Sequence, residues 1–131
     1  MLFFLLPLVA HADYILPPLP AVLDAVTSIA DVTVTQIDDD GHAHIVLNGL
    51  LRGTAPPAEL TGVSLSCTGG PPSLFGVKDD TRYIVLLDGS SLYEETSFFE
   101  VRGDQCFAWE SGHHARSWQP CAGVIAELVP D

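Results

Sequence analysis

A short acidic turn between two segments of alternating side chains constrains the fold more than any other feature. Residues 31–37 are rich in β-branched side chains that alternate with polar ones, which is typical of a half-buried strand. Asp40-Gly41 follows, and Asp-Gly is a strong signal for a tight hairpin because both residues tolerate positive φ. Alternation resumes over residues 42–51. The sequence therefore predicts an antiparallel β-hairpin.

Other segments add further strands and little helix. Residues 20–30 predict a short helix, since Pro20 fits its first turn and apolar residues recur on one face. Residues 82–88 are apolar on both faces, which predicts the central and most buried strand. The remaining predictions are a strand over 60–67, a hairpin of 97–101 with 105–110, an exposed loop over 111–121, and a segment over 124–128 that fits helix or strand. This pattern predicts a small, mainly β domain that is closed or nearly closed into a barrel.

Composition and charge exclude several classes of protein. A chain of 131 residues with 47% hydrophobic residues is long enough for one domain with one core. Five lysines and arginines stand against seventeen acidic residues, which gives a formal net charge of −12. Nucleic acids and anionic membrane surfaces bind basic patches, so neither is expected as a partner. The acidity favours solubility, a basic partner or loose cation binding.

The first twelve residues form an apolar run that ends in Ala10-His11-Ala12. This resembles the hydrophobic region and cleavage site of a signal peptide, although no lysine or arginine precedes the run. A buried N-terminal strand or helix is the alternative. We expect a leader over 1–12 and one domain over 13–131, exported to the periplasm or the cell exterior. The run is shorter than the roughly 20 residues of a membrane span, and no later segment is long enough.

A set of segments, taken in order, resembles the netrin-like domain of the tissue inhibitors of metalloproteinases, especially its compact bacterial relatives. The segments are 30–34, 48–53, Cys67, 75–77, 82–87 and 106–109. The resemblance covers roughly residues 20–125 and implies a five-stranded OB-like Greek-key barrel. The inhibitors chelate the protease zinc through an N-terminal cysteine, and Asp13 and Tyr14 stand where such cysteines would be. The inhibitory mechanism is therefore not expected here.

The same resemblance bears on the three cysteines. The family's cysteine of strand three matches Cys67, and its later cysteine matches Cys106. Because their usual N-terminal partners are missing, the resemblance implies a Cys67–Cys106 disulfide that leaves Cys121 over. A Cys106–Cys121 disulfide is the alternative, since it closes a shorter loop at a lower entropic cost.

Ligand-type side chains are densest around the predicted hairpin. Asp38, Asp40, His42 and His44 make it a candidate site for a divalent metal, because imidazoles and carboxylates together hold Zn²⁺, Cu²⁺ or Ni²⁺. A solvated hairpin tip without a metal is the alternative. Glu110 with His113-His114 is a second candidate, but adjacent histidines on a strand point apart and make a poor chelate.

Nothing in the sequence indicates a catalytic centre. The chain contains no Gly-x-Ser-x-Gly elbow and no phosphate-binding glycine loop. Tyr93, Trp109 and Trp118 lie in its aromatic later part and are candidates for a partner-binding surface or for the barrel core. We expect an exported, non-catalytic module that binds another protein and has no cofactor. The alternative is a metal-binding envelope protein that uses the 38–44 hairpin.

Overall fold

The computed structural model describes residues 18–61, 76–110 and 115–130. These residues form two short helices and eight strands. In chain order they are α1 (Leu19–Ala25), β1 (Ser28–Ile37), β2 (Ala43–Gly53), β3 (Glu59–Leu60), β4 (Thr81–Asp88), β5 (Ser91–Leu92), β6 (Phe98–Arg102), β7 (Gln105–Trp109), β8 (Arg116–Pro120) and α2 (Cys121–Leu128). The prediction of a mainly β fold with a short N-terminal helix is confirmed.

The strands form one sheet in which every pair of neighbouring strands is antiparallel. Its order is β3-β2-β1-β4-β6-β7-β8, with β5 paired to β4. β1 and β2 form the predicted hairpin, and Gly41 has the positive φ of 81° that its turn requires. In addition, Thr61 at the end of β3 makes a single parallel bridge to Ser91 of β5.

Strand β4 separates two hydrophobic cores. Tyr83, Val85 and Leu87 contribute to the first core, which lies against β1, β2 and β3. Ile84 and Leu86 point the other way into the second core, which the helices cover. The five residues from Tyr83 to Leu87 are all buried. The prediction that 82–88 is the most buried strand is therefore confirmed.

Two predicted elements are wrong in part. The helix predicted over 20–30 ends at Ala25, and Ser28 already begins β1, because residues 28–30 pair with β4. The loop predicted over 111–121 contains strand β8, which pairs with β7 from Gln105 to Trp109. Tertiary pairing overrides local preference in both places. Of the two structures left open for 124–128, the helix is observed.

The predicted Cys67–Cys106 disulfide is wrong, because Cys106 is bonded to Cys121, with 5.0 Å between their Cα atoms. The antiparallel pairing of β7 with β8 returns the chain to Cys106 just where α2 begins, and this brings the two cysteines together. Cys67 lies outside the described residues, as do the predicted leader over 1–12, most of the predicted third strand, His113 and His114. No helix in the described part of the chain is long and apolar enough to cross a membrane.

Candidate functional site

Asp38 directly follows β1 and organises the hairpin turn. Its Oδ1 atom accepts hydrogen bonds from the backbone amides of His42 and Asp40, both at 3.0 Å. Its Oδ2 atom lies 3.1 Å from Nε2 of His44. The His42 amide, followed by the His44 side chain and the Asp40 amide, holds the pKa of Asp38 below its usual 3.8. Asp38 is therefore ionised near neutral pH, with one oxygen used by the turn and the other directed at an imidazole.

The imidazole of His44 lies between two carboxylates. Asp38 contacts its Nε2 atom, and Glu59 Oε2 lies 3.7 Å from its Nδ1 atom. The other oxygen of Glu59 lies 3.3 Å from Nδ1 of His42. Glu59 reaches both rings because β3 pairs with β2 in a register that sets Glu59 opposite His44. We call Asp38, His42, His44 and Glu59 the hairpin cluster.

Sequence reasoning found most of the hairpin cluster but not all of it. Asp38, His42 and His44, three of the four candidate ligands named from the sequence, lie near one another in the structure. The side chain of Asp40 is exposed, and Asp40 contacts the cluster through its backbone amide, which donates a hydrogen bond to Asp38. Glu59 was missed because it belongs to a two-residue strand that begins after a proline-containing loop. The only available signal was that Glu59 precedes the inward-pointing Leu60 and so faces outward.

The hairpin cluster offers ligands for a transition metal. Asp38, His44 and Glu59 can each contribute one ligand atom, and these three atoms lie within 4.8 Å of one another. The side chains are between 28% and 51% exposed, so an ion from solvent can reach them. A mixed set of imidazole nitrogen and carboxylate oxygen is typical of zinc and copper sites.

A second feature lies on β6, β7 and β8, where aromatic rings and guanidinium groups stack. Phe107 and Trp118 sit opposite each other on β7 and β8, with ring centroids 5.2 Å apart. Arg102 lies 5.0 Å from the Trp118 ring, and Arg116 lies 5.1 Å from the Phe107 ring. We call these four residues the aromatic face. Trp118 is 42% exposed, which makes it one of the largest apolar side chains open to solvent.

Arg116 connects the aromatic face to the first core. It donates a 2.8 Å hydrogen bond to the carbonyl oxygen of Phe98, and its guanidinium lies 4.6 Å from the Phe98 ring. Burial lowers the pKa of Arg116, yet a guanidinium keeps its proton at any physiological pH. The residue therefore adds a fixed positive charge beside two aromatic rings.

The other two predicted partner-binding residues lie elsewhere. The Trp109 ring packs edge-on against Phe99 at 5.1 Å, and its indole nitrogen donates a hydrogen bond to Thr96 at 2.8 Å. Tyr93 packs against the same second core. Trp109 and Tyr93 thus match the alternative interpretation, in which late aromatic residues complete the core. Trp118 alone of the three belongs to the aromatic face.

Comparison of the chain with family models, with curated proteins and with solved structures finds no match. The resemblance to the netrin-like inhibitors therefore remains a hypothesis.

Proposed function

We propose that this chain is an exported, non-catalytic module that binds another protein through the aromatic face. The observation that carries the proposal is the exposure of Trp118 between Phe107 and the stacked Arg102. Tryptophan and arginine dominate the binding energy of protein interfaces, because each buries a large area and still offers hydrogen-bond donors. A rigid strand pair holds these groups in place before a partner arrives, which lowers the entropic cost of binding.

The charges around the aromatic face indicate the chemistry of its partner. Arg102 donates to Glu100 at 2.7 Å, and Lys78 lies 3.3 Å from the same carboxylate. Arg102 and Arg116 therefore bring two positive charges to the aromatic face, with Glu100 beside Arg102, on a chain whose formal net charge is −12. Most of the acidic surface repels an acidic partner, whereas the guanidinium groups of the aromatic face attract it. The partner surface should present a carboxylate beside an apolar side chain.

The proposed scaffold is a five-stranded OB-like barrel of the netrin-like type. Support comes from the pairing pattern, since β1 pairs with β2, β2 with β3, β4 with β1 and β5 with β4. The single parallel bridge between Thr61 and Ser91 links β3 to β5, and this is the contact through which a five-stranded barrel would close. Strands β6, β7 and β8 extend from β4 beyond these five strands and carry the aromatic face.

Three observations support the non-catalytic and exported parts of the proposal. Both ring nitrogens of His44 face carboxylates, so neither faces a hydroxyl or thiol that it would activate as a nucleophile. The disulfide between Cys106 and Cys121 is of the kind that persists in oxidising compartments. The apolar run over 1–12 is consistent with a leader that directs the chain there.

A two-stage binding experiment tests the aromatic face. The full chain is cross-linked to an envelope extract, the captured protein is identified by mass spectrometry, and its Kd is then measured with purified components. We expect Trp118→Ala to weaken binding at least about tenfold, as for a central interface residue. Leu50→Ala is the matched control, because Leu50 is also 42% exposed but lies on β2.

Two outcomes would contradict the proposal. One is a loss of affinity in Leu50→Ala that equals or exceeds the loss in Trp118→Ala, which would place the interface on β2. The other is that no captured protein loses its binding when Trp118 is replaced. For the export part, N-terminal sequencing of the secreted chain should begin at Asp13, and retention of residues 1–12 in the mature protein would contradict the leader.

A further inference from the structure

We propose that the hairpin cluster is a binding site for a divalent transition-metal ion, Zn²⁺ or Cu²⁺, with Asp38, His44 and Glu59 as ligands. His42 lies beside them, with its Nδ1 atom 3.3 Å from Oε1 of Glu59. This inference goes beyond the proposed protein-binding function and does not depend on it, because β1, β2 and β3 carry the metal site whereas β6, β7 and β8 carry the aromatic face.

The separations of the ligand atoms match what a metal requires. Ligands of a tetrahedral zinc ion lie at about 2.0–2.2 Å from the metal and therefore roughly 3.4 Å from one another. Nε2 of His44 and Oδ2 of Asp38 are already 3.1 Å apart, and the full set of three atoms lies within 4.8 Å. Glu59 Oε2 lies 3.7 Å from Nδ1, the other ring nitrogen of His44, so the half-exposed Glu59 side chain has to rotate toward Nε2 to join the site.

The backbone holds the ligands in place before the metal arrives. The amides of His42 and Asp40 fix the carboxylate of Asp38 through Oδ1, which leaves Oδ2 for the ion. Paired positions on β2 and β3 place His44 opposite Glu59. Contributions from the end of β1, from β2 and from β3 reduce the conformational entropy that binding removes.

The types of ligand select the class of metal. Imidazole nitrogens favour zinc and copper, whereas magnesium and calcium prefer sites made of oxygen alone. Two carboxylates neutralise a divalent ion, and the net charge of −12 raises the local concentration of cations. Asp38, His44 and Glu59 leave a position that His42, solvent or a partner ligand fills.

Calorimetric titration of the full chain with zinc chloride and with copper(II) chloride tests the site. We expect one equivalent to bind, with binding retained in a large excess of magnesium chloride. Glu59→Gln should weaken binding at least about tenfold, and His44→Ala should do so at least as strongly. Asp40→Asn is the matched control, because it also removes one negative charge, from the hairpin turn beside the cluster, and it should change Kd by less than about twofold.

The outcomes separate a built site from general attraction of cations. Equal losses in Glu59→Gln and Asp40→Asn would overturn the proposal, because binding would then follow charge alone. Loss of binding in a His113→Ala/His114→Ala double variant, with His44→Ala unaffected, would also overturn it. Circular dichroism of each variant checks that the sheet is intact. Glu59→Gln should lose zinc binding and keep protein binding. This result separates the metal site from the aromatic face.

Discussion

One ion pair stands out among single residues on the outer surface of the sheet. Arg82 donates through Nε and Nη2 to the two carboxylate oxygens of Asp31, at 2.9 and 2.6 Å. Asn48 donates a further hydrogen bond of 3.2 Å to Asp31. The guanidinium of Arg82 holds the pKa of Asp31 below its usual 3.8. Because β1 and β4 are neighbours, this pair ties two strands together on their exposed side.

Removing Arg82 should give a pH-dependent loss of stability. In Arg82→Ala we expect the free energy of unfolding near neutral pH to fall by about 0.2–1 kcal/mol, the range measured for ion pairs exposed to solvent. The pKa of Asp31 is lower in the folded chain than in the unfolded chain. The pair therefore stabilises above the usual value of 3.8 and loses its effect as pH falls through the folded value. Urea unfolding at neutral pH and at about pH 3 measures the difference.

The prediction is tested by comparing the loss of unfolding free energy at the two pH values. The gap between wild type and Arg82→Ala should shrink as the pH falls, and Asp31→Asn should show the same trend. A gap of equal size at both pH values would mean that the contribution of Arg82 does not depend on the charge of Asp31.

At the scale of whole elements, the disulfide attaches helix α2 to strand β7. The amide of Cys121 donates to the carbonyl of Asp104 at 2.8 Å, and Cys106 is bonded to Cys121 across a sequence separation of 15. Val124 and Leu128 then pack into the second core. The helix has only eight residues, so packing and the disulfide stabilise it more than its own propensity does.

Breaking this disulfide should destabilise the fold measurably. In Cys121→Ser we expect the free energy of unfolding to fall by about 3 kcal/mol, because the loop closed by the bond has about 15 residues. Non-reducing peptide mapping of Cys67→Ser is the control and should still yield a Cys106–Cys121 linked peptide. A Cys67–Cys106 peptide from the wild-type chain would contradict the assignment.

For the molecule as a whole, one contact bears on whether the sheet closes into a barrel. Within the described residues, Thr61 donates to the carbonyl of Ser90 at 2.7 Å and accepts from the amide of Leu92 at 3.2 Å. These two bonds connect β3 to β5, the link on which the proposed barrel depends. Leu60 and Leu92 are both buried in the first core beside this link.

Hydrogen exchange measures the closure directly. If the link persists in solution, the amides of Thr61 and Leu92 should exchange at rates close to those of the core strands, because they open only when the barrel opens. The amide of Asp39 at the exposed hairpin tip is the fast reference. Exchange of Thr61 and Leu92 as fast as that of Asp39 would mean an open sheet.

How far the sequence predicts this protein differs between elements. The hairpin at Asp40-Gly41 and the buried strand over 82–88 were predicted because turn chemistry and apolar runs are visible in a few neighbouring residues. Strand β8 was missed, since its side chains are polar or partly exposed and only pairing with β7 makes it a strand. Helix α1 was predicted too long because residues 28–30 pair with β4 as part of strand β1.

The candidate sites divide in the same way. The sequence alone determined the turn that carries Asp38, His42 and His44, because alternation on one strand sets which side chains share a face. Only the tertiary structure decided that Glu59 joins them, that Cys106 pairs with Cys121, and that Trp118 is exposed while Trp109 packs against the second core. Each of these depends on which distant strands become neighbours. Strand pairing depends on how the whole chain buries its apolar surface, so no short segment of the sequence determines it.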